Sequence, residues 1–302
     1  MRHLYSKDIV TQRKARLVES ISALKEQGIR PKLTAIVCSG DSAARSYVAV
    51  KRKHTNEVGG AFEAVDLSGV RDDDDDARAI KTLCARPDVH GVILVMSSKP
   101  QTDELDLANL IPAEKDVDGL SASNLGALVQ HGAKQRFTVP ATPQACIVLA
   151  SSVTEIAGKR VAVIGRGRTV GRPLANMLIS GGATVTVCHS GTTDIARISR
   201  EAEIVFVATG RPKRFGKEYF RDGQVVIDAG IGFIDGQLSG DVDSAALTEL
   251  DLTLTPVPGG VGPLTSVLIL DNLLQLIKNG KNIREEIARA HSASEHASFL
   301  QI

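Results

Sequence analysis

The segment GKRVAVIGRGRTVGRP (158–173) indicates the fold class, because an apolar run passes through three glycines into a helical pattern. The glycines are Gly165, Gly167 and Gly171. Dinucleotide-binding turns need a tight bend at the first glycine, close backbone approach to a pyrophosphate at the second, and close helix packing at the third. A glycine-rich turn without a ligand is the alternative. The position between a strand and a helix favours a dinucleotide site.

Strand-length apolar runs alternate with helical patterns on both sides of this turn, which is typical of βαβ units and parallel sheets. The fold class is therefore α/β, with a mostly parallel, Rossmann-like sheet in the second half. We predict strands over 33–39, 61–66, 91–96, 159–165, 183–188, 203–208 and 224–231. We predict helices over 7–27, 41–57, 74–85, 142–157, 169–181, 192–201 and 264–279, with a long loop that contains short helices over 99–140 and a charged, peripheral tail after Lys281.

The composition excludes several classes of protein. The 302 residues carry 36 Lys+Arg against 35 Asp+Glu, a net charge of +1 that argues against nucleic-acid and membrane partners. At about 150 residues per domain, the length favours two domains. With 43% hydrophobic and 24% charged residues, the chain has a globular rather than a disordered composition.

Location and metal binding are constrained by what the sequence lacks. The charged opening MRHLYSKDIVTQRKARL does not resemble a secretory signal, and no uninterrupted apolar run is long enough to span a bilayer. Its four cysteines show neither Cys-x-x-Cys nor Cys/His ligand spacing, so neither disulfides nor a metal site is expected. We therefore predict a cytoplasmic protein without a bound metal.

The cofactor preference is predicted from the strand that follows the glycine turn. It ends in ATVTVCHSGTT (183–193), without the Asp or Glu that commonly binds the ribose hydroxyls of NAD. Arg166 and Ser190 instead provide groups that can hold a 2′-phosphate. NADP is therefore favoured over NAD. Small residues in VATG (207–210) and IDAGIG (227–232) would let the cofactor lie across the sheet edge.

Further motifs, taken with the glycine turn, resemble the methylenetetrahydrofolate dehydrogenase/methenyltetrahydrofolate cyclohydrolase family. They occur in the family's order and spacing over roughly residues 5–280. The motifs are ARSYVAVKRK (44–53), IPAEKDVDGLSASNLGAL (111–128), TVPATP (138–143), TVTVCHSGT (184–192), GDVD (240–243) and TPVPGGVGPLT (255–265).

The resemblance implies a two-domain enzyme that uses NADP to oxidise 5,10-methylenetetrahydrofolate to 5,10-methenyltetrahydrofolate, with cyclohydrolase activity that yields 10-formyltetrahydrofolate. It implies a folate-binding catalytic domain over 1–139, completed by residues 264–302, and an NADP-binding domain over 140–263. It also implies tetrahydrofolate derivatives as ligands, a site between the domains, and a homodimer.

The family motifs carry site residues onto this chain. Lys51 would polarise the one-carbon centre and assist water attack, Tyr47 would close over the folate, and Asp118 would bind the pterin, whereas Asp116 would shape the turn. By spacing alone, Tyr47 and Lys51 share one helix face, and a structural pair is the alternative. The other substrate-binding residues are Val95, Met96, Ser97, Pro258, Gly259, Gly260, Val261 and Gly262. The cofactor-binding residues are Gly165, Arg166, Gly167, Thr169, Val170, Gly171, Ser190, Thr209, Gly210 and Ile231.

The chain departs from the family at several positions. Met96 stands where the family has a glutamine that contacts the active lysine, and Gly167 stands where it has a serine. A thioether is only a weak hydrogen-bond acceptor, so we predict that the cyclohydrolase step is impaired more than hydride transfer. A divergent monofunctional paralogue acting on another pterin is one alternative. A non-catalytic folate- or nucleotide-binding regulator is the other.

Overall fold

The computed structural model describes residues 1–38, 42–67, 73–95, 107–132 and 138–299. Two parallel sheets organise these residues, one of three strands and one of six, and a separate two-stranded hairpin lies beside them. Helices connect most of the successive parallel strands, because such strands need a crossover between them. The predicted α/β class with mostly parallel sheets is confirmed.

The first sheet is parallel throughout. Its strands are β2 (Lys32–Val37), β3 (Ala61–Asp66) and β4 (Gly91–Val95). Strand β2 lies between the other two and is buried along most of its length, which agrees with its mostly apolar sequence. The helices of this half are α1 (Lys7–Glu26), α2 (Ser42–Glu57), α3 (Asp73–Ala85) and α4 (Ala122–His131).

The second sheet is doubly wound. Its longer strands are β5 (Arg160–Ile164), β6 (Thr184–Cys188), β7 (Ile204–Val207) and β8 (Val225–Asp228). From β5 the chain crosses first to β6 on one side and then to β7 on the other, so β5 and β7 flank the switch point where ligands bind in such sheets. The helices are α5 (Ala141–Ser151), α6 (Gly171–Ser180) and α7 (Ile195–Glu201).

Four short strands were not predicted from the sequence. The dipeptide Arg2–His3 forms β1, which pairs in parallel with β11 (Thr253–Leu254) and adds the start of the chain to the second sheet. Strands β9 (Gly232–Ile234) and β10 (Gln237–Ser239) form the antiparallel hairpin. Elements of two or three residues are too short to show an apolar period.

The strand predicted over 224–231 ends earlier, at Asp228. Its buried carboxylate accepts hydrogen bonds from the backbone N–H groups of Gly230, Asp241 and Val242. The bond to Gly230 uses an amide that a longer strand would have placed in the sheet ladder, and the other two hold the segment after the hairpin, so a fixed turn follows Asp228.

The last helix, α8 (Val261–Phe299), is longer than the predicted span of 264–279 and includes the predicted charged tail. Its residues 261–280 are apolar and long enough to cross a membrane, but 72% of this apolar stretch is buried inside the protein. Within this segment, Leu268 and Leu273 pack in a core cluster that also contains Leu33 of the first sheet and Val163 of the second. Helix α8 is thus a core helix shared by both sheets.

Candidate active site

Helix α2 places Tyr47 and Lys51 one turn apart, as predicted from their spacing. Lys51 Nζ lies 4.5 Å from the centroid of the Tyr47 ring, within the range of a cation–π contact. Only 3% of Lys51 is exposed, whereas Tyr47 keeps 37% of its surface exposed. The lysine is therefore enclosed, and the tyrosine stands at the opening of the site.

A second element meets Lys51 from the far end of the chain. Lys51 Nζ donates a hydrogen bond of 2.9 Å to Ser266 Oγ, in the first turns of α8. Ser266 Oγ in turn donates to the carbonyl oxygen of Gly262 at 3.3 Å. Ser266 is not predicted from the sequence, because 215 positions separate it from Lys51 and no local pattern connects them.

Asp116 and Asp118 belong to one turn but have different environments. Asp116 is buried and accepts hydrogen bonds from the backbone N–H groups of Gly119 and Ser121, at 2.9 and 2.8 Å. It also accepts from Asn124 Nδ2 at 2.9 Å. The prediction that Asp116 shapes the turn is confirmed. Asp118 interacts electrostatically with both Tyr47 and Lys51, so the turn places its carboxyl group near these two side chains.

Burial changes the proton affinities of these three groups. Desolvation lowers the pKa of Lys51 to about 8, although the Asp118 carboxylate opposes this shift. Desolvation, with the neighbouring Asp116 charge, raises the pKa of Asp118 to about 7. The hydroxyl of Tyr47 is also desolvated, and its pKa lies well above the usual value. The site therefore holds a lysine and a carboxyl group that both change protonation near neutral pH.

The predicted substrate loop 258–262 leads into α8 beside this cluster. It begins with a cis peptide bond between Val257 and Pro258. A side chain at Gly260 would place a Cβ 2.7 Å from the Pro256 carbonyl oxygen, whereas one at Gly262 would meet nothing within 4 Å. Ser6 holds the loop, because its N–H and its hydroxyl both donate to the Gly259 carbonyl at 3.0 Å. Val261 is buried at the start of α8.

The remaining predicted substrate residues lie at the end of β4. Val95 is the last residue of that strand and is 4% exposed. Met96 and Ser97 fall outside the residues that the structure describes.

The glycine turn has the steric features that its sequence predicts at two of its three glycines. A Cβ on Gly165, whose φ is +118°, would lie 2.1 Å from the Ala208 carbonyl oxygen, and one on Gly171 would lie 2.2 Å from the Gly165 carbonyl oxygen. Gly167 is exposed, and a Cβ added there would meet no atom within 4 Å. Thr169 and Val170 complete the turn immediately before α6.

Other predicted cofactor residues lie at neighbouring strand ends of the same sheet. Ser190 is exposed in a turn in which Thr192 Oγ1 accepts from the His189 N–H at 2.9 Å. Beyond β7, the buried Asp241 accepts from the N–H and hydroxyl of Thr209, at 2.6 and 2.9 Å, and from the Gly210 N–H at 3.0 Å. Asp241 was not a predicted site residue, although the motif GDVD contains it.

These strand ends fit a dinucleotide. Gly165 and Gly171 lie against backbone atoms, whereas space is open at Gly167. Arg166 is exposed on this turn, and Ser190 is exposed on the turn that follows β6. Ile231, after β8, is 58% exposed. In the described part of the chain, no three or more His, Cys, Asp or Glu side chains are grouped to hold a metal ion.

Comparison with protein families gives two matches that together cover most of the chain. Residues 4–118 match the tetrahydrofolate dehydrogenase/cyclohydrolase catalytic domain, and residues 140–281 match the NAD(P)-binding domain of the same family. The chain is 37% identical over 273 residues to bifunctional protein FolD 2 of Desulfitobacterium hafniense, covering 90% of this chain and 95% of that protein.

Solved structures show the same similarity. A Campylobacter jejuni FolD methylenetetrahydrofolate dehydrogenase/cyclohydrolase superposes with a TM-score of 0.85 at 31% identity, covering 92% of this chain and 99% of that one. The Trypanosoma brucei methylenetetrahydrofolate dehydrogenase-cyclohydrolase, complexed with NADP cofactor and inhibitor, gives a TM-score of 0.84 at 32% identity. That alignment covers 92% of this chain and 97% of the Trypanosoma chain.

Proposed function

Because the chain belongs to the tetrahydrofolate dehydrogenase/cyclohydrolase family, we propose that it oxidises 5,10-methylenetetrahydrofolate with NADP and hydrolyses the methenyl product to 10-formyltetrahydrofolate. One observation carries the proposal. The structure brings Lys51, Tyr47 and Asp118 together beside the loop 258–262, although these segments are far apart in sequence. A lysine desolvated at such a junction has the properties of a catalytic group.

Two domains support this function. We propose that residues 1–139 with 264–302 bind the folate and that residues 140–263 bind NADP. The three-stranded sheet and α8 support the first assignment, and the doubly wound sheet supports the second. The folate site would then lie where α2 meets the beginning of α8.

Lys51 would serve the hydrolytic step. Attack of water on the methenyl carbon releases one proton as the formyl group forms and a carbon–nitrogen bond of the ring breaks. With a pKa lowered to about 8, part of Lys51 is neutral near physiological pH and can assist removal of that proton. Tyr47 would cover the folate from the open side, and Asp118 would accept hydrogen bonds from the pterin.

The oxidation places fewer demands on proton transfer. The chain's residues need to hold the methylene carbon and exclude water while the hydride leaves. NADP, when bound, supplies the hydride acceptor for this step. We propose that the turn at Gly165, Gly167 and Gly171 holds its pyrophosphate and that Thr209, Gly210 and Ile231 line the remainder of its site. Arg166 and Ser190 would bind the 2′-phosphate and select NADP over NAD.

We further propose that the protein forms homodimers in the cytoplasm. Strand β6 lies at the edge of the six-stranded sheet, with Val187 38% exposed. On the neighbouring helices α4 and α6, Val129 and Ile179 are 65% and 59% exposed. An exposed strand edge beside apolar side chains is a surface that a second copy can cover. The four cysteines all lie in the described part of the chain and none forms a disulfide, which suits a reducing compartment.

Absorbance assays test the proposed function. Purified protein is mixed with 5,10-methylenetetrahydrofolate and NADP, and NADPH and the methenyl product are followed separately. We expect NADPH to form from NADP faster than NADH forms from NAD. We also expect the methenyl product to be cleared slowly. A Met96→Gln variant should clear it faster, because an amide both donates and accepts hydrogen bonds.

The outcomes separate the alternatives. Oxidation with no clearance in either protein would identify a monofunctional dehydrogenase. Folate binding without any NADPH or NADH signal would contradict the proposal and favour a non-catalytic binder.

A further inference from the structure

Lys51 and Ser266 form a buried polar contact between α2 and α8. Each side chain belongs to a residue that is 3% exposed, and Nζ and Oγ are 2.9 Å apart. A hydrogen bond between a charged amino group and a hydroxyl is worth more when water cannot replace either partner. This contact therefore constrains the amino group rather than merely accompanying it.

The direction of the hydrogen bonds defines what Ser266 does. A hydroxyl has a single proton to donate, and Ser266 donates it to the Gly262 carbonyl oxygen at 3.3 Å. Its lone pairs are left to accept from Lys51. The serine thus connects the lysine on α2 to the carbonyl of Gly262, where the loop 258–262 has entered the first turn of α8.

The other neighbours of Lys51 do not fix its amino group in the same way. The Tyr47 ring offers a face 4.5 Å from Nζ, and Asp118 acts on it electrostatically. Neither contact sets the direction of an N–H bond as a hydroxyl acceptor does. A lysine carries four rotatable side-chain bonds, so an acceptor at its tip removes much of its freedom.

We propose that Ser266 is a positioning residue, which aims Lys51 Nζ at the reacting carbon and ties its position to the substrate loop. This inference rests on the proposed function, because it assigns Ser266 a role through Lys51. Movement of the loop at Gly262 would reach the lysine through two hydrogen bonds. Substrate seated against the loop would thereby fix the catalytic amino group.

The adjacent residue provides a matched control. Thr265 is also buried in α8, and its hydroxyl donates to the Val261 carbonyl at 3.1 Å, four residues back, as Ser266 donates to Gly262. Thr265 has no hydrogen bond to Lys51 among those found in the described residues. A purely helical role for such a hydroxyl would be shared by both positions.

The test compares Ser266→Ala, Ser266→Cys and Thr265→Ala in the full-length protein. For Ser266→Ala we expect the cyclohydrolase kcat to fall about tenfold, with KM within about twofold, since the contact orients a catalytic group rather than binding substrate. Ser266→Cys keeps the size of the side chain but is a weak acceptor, so we expect a loss in the same direction. Thr265→Ala should leave kcat within about twofold.

The pH profile provides a readout that a structural role would not move. An acceptor for the Lys51 N–H groups favours the charged form of the lysine. Its removal in Ser266→Ala should shift the rising limb of the cyclohydrolase profile, along which Lys51 loses its proton, to lower pH by about half a unit or more. Thr265→Ala should keep the wild-type limb.

Three results are informative. Equal kcat values and pH profiles for Ser266→Ala, Ser266→Cys and Thr265→Ala would overturn the positioning role. If Ser266→Ala unfolds, Ser266→Cys decides the matter, because wild-type kcat in that variant would also overturn it. A wild-type protein without either folate activity would instead refute the proposed function and leave the Lys51–Ser266 contact structural.

Discussion

In the folded protein, the amino group of Lys51 is surrounded by a tyrosine ring, a serine hydroxyl and a nearby carboxyl group instead of water. Desolvation lowers its pKa to about 8, and it raises the pKa of Asp118 to about 7. Between pH 7 and 8, a small change in pH therefore changes the protonation of both groups. Because the groups interact, a measured profile reports the pair rather than either residue.

The first prediction concerns the charge of residue 51. Lys51→Arg keeps a positive charge but cannot release a proton at neutral pH. We expect it to lower the cyclohydrolase rate at least about 100-fold and to abolish the rise in rate between pH 7 and 9. Decay of methenyl absorbance across this range measures both effects.

Lys53→Arg is the control for that experiment. Lys53 lies two residues along α2, its side chain is 72% exposed, and it pairs with Glu57. We expect it to keep the wild-type rate and profile. A Lys51→Arg enzyme with a wild-type pH profile would show that Lys51 does not take part in proton transfer.

Site residues were predictable from sequence where their arrangement is local. Tyr47 and Lys51 share one helix face, and Asp116 satisfies the turn in which it lies. Ser266 and Asp241 were not predicted, because each acts on a segment distant in the chain. Their own neighbourhoods in sequence carry no sign of those contacts.

At the scale of elements, the βα turn of the second sheet treats its glycines differently. Gly165 and Gly171 lie against backbone atoms, so any side chain there forces the turn apart. Gly167 faces open space. Gly165 and Gly171 are therefore needed to build the turn, whereas the protein around Gly167 has room for a small side chain.

This difference predicts effects of very different size for two similar substitutions. Gly171→Ala places a methyl group 2.2 Å from the Gly165 carbonyl oxygen, and we expect it to lower the free energy of unfolding by about 1–3 kcal/mol and weaken NADPH binding more than tenfold. Gly167→Ala meets no protein atom, so we expect an unfolding free energy within about 0.5 kcal/mol of wild type and weakening of NADPH binding by less than threefold.

Fluorescence of bound NADPH measures affinity, and the absence of tryptophan from the chain keeps that signal free of indole emission. Equal effects of the two substitutions on both stability and binding would contradict the steric argument.

The boundaries of elements were less predictable than their existence. The predicted sheet strands are present, but β8 stops at Asp228 and α8 begins at Val261 rather than 264. In the first case the Asp228 side chain accepts from the Gly230 N–H, which a longer strand would have used in the sheet. Apolar periodicity does not report such a substitution of one hydrogen-bond partner for another.

At the scale of the whole molecule, the carboxyl group of Asp228 is one of the most deeply placed charges, being 2% exposed. Burial raises its pKa to about 7, even though three backbone N–H groups favour its ionised form. A folded-state pKa above the unfolded value means that the stability it contributes is present below about pH 4 and is lost as the pH rises through about 7.

We therefore expect wild-type protein to be less stable at pH 8 than at pH 5, with Asp118 contributing in the same direction. Asp228→Asn should lower stability at both pH values, since an amide has one acceptor oxygen for its backbone donors. It should also shrink the difference between them by roughly 2 kcal/mol. Urea unfolding at the two pH values measures this.

Asp243→Asn serves as the comparison. Asp243 lies shortly after the β9–β10 hairpin, in the segment that Asp228 binds, but it is only partly buried. It should retain the wild-type difference between pH 5 and pH 8. Retention of that difference in Asp228→Asn as well would place the pH sensitivity elsewhere.

The α/β class and the parallel sheets followed from the sequence, because alternating strands and helices dictate them. The joining of the two halves did not. Leu33, Val163 and Leu268 lie in one continuous core cluster, and β1 adds the start of the chain to the second sheet. Such contacts join segments that are far apart in the chain, and they leave no repeating pattern in the residues involved.

The shared helix α8 has a consequence for how the protein can be made. During synthesis the three-stranded sheet and Lys51 leave the ribosome long before Ser266 and the apolar residues that cover them. The apolar surface of the amino-terminal half that α8 covers therefore stays exposed until nearly the whole chain has been translated. We therefore expect a gene divided between the two sheets to yield two products that each lack part of the shared core.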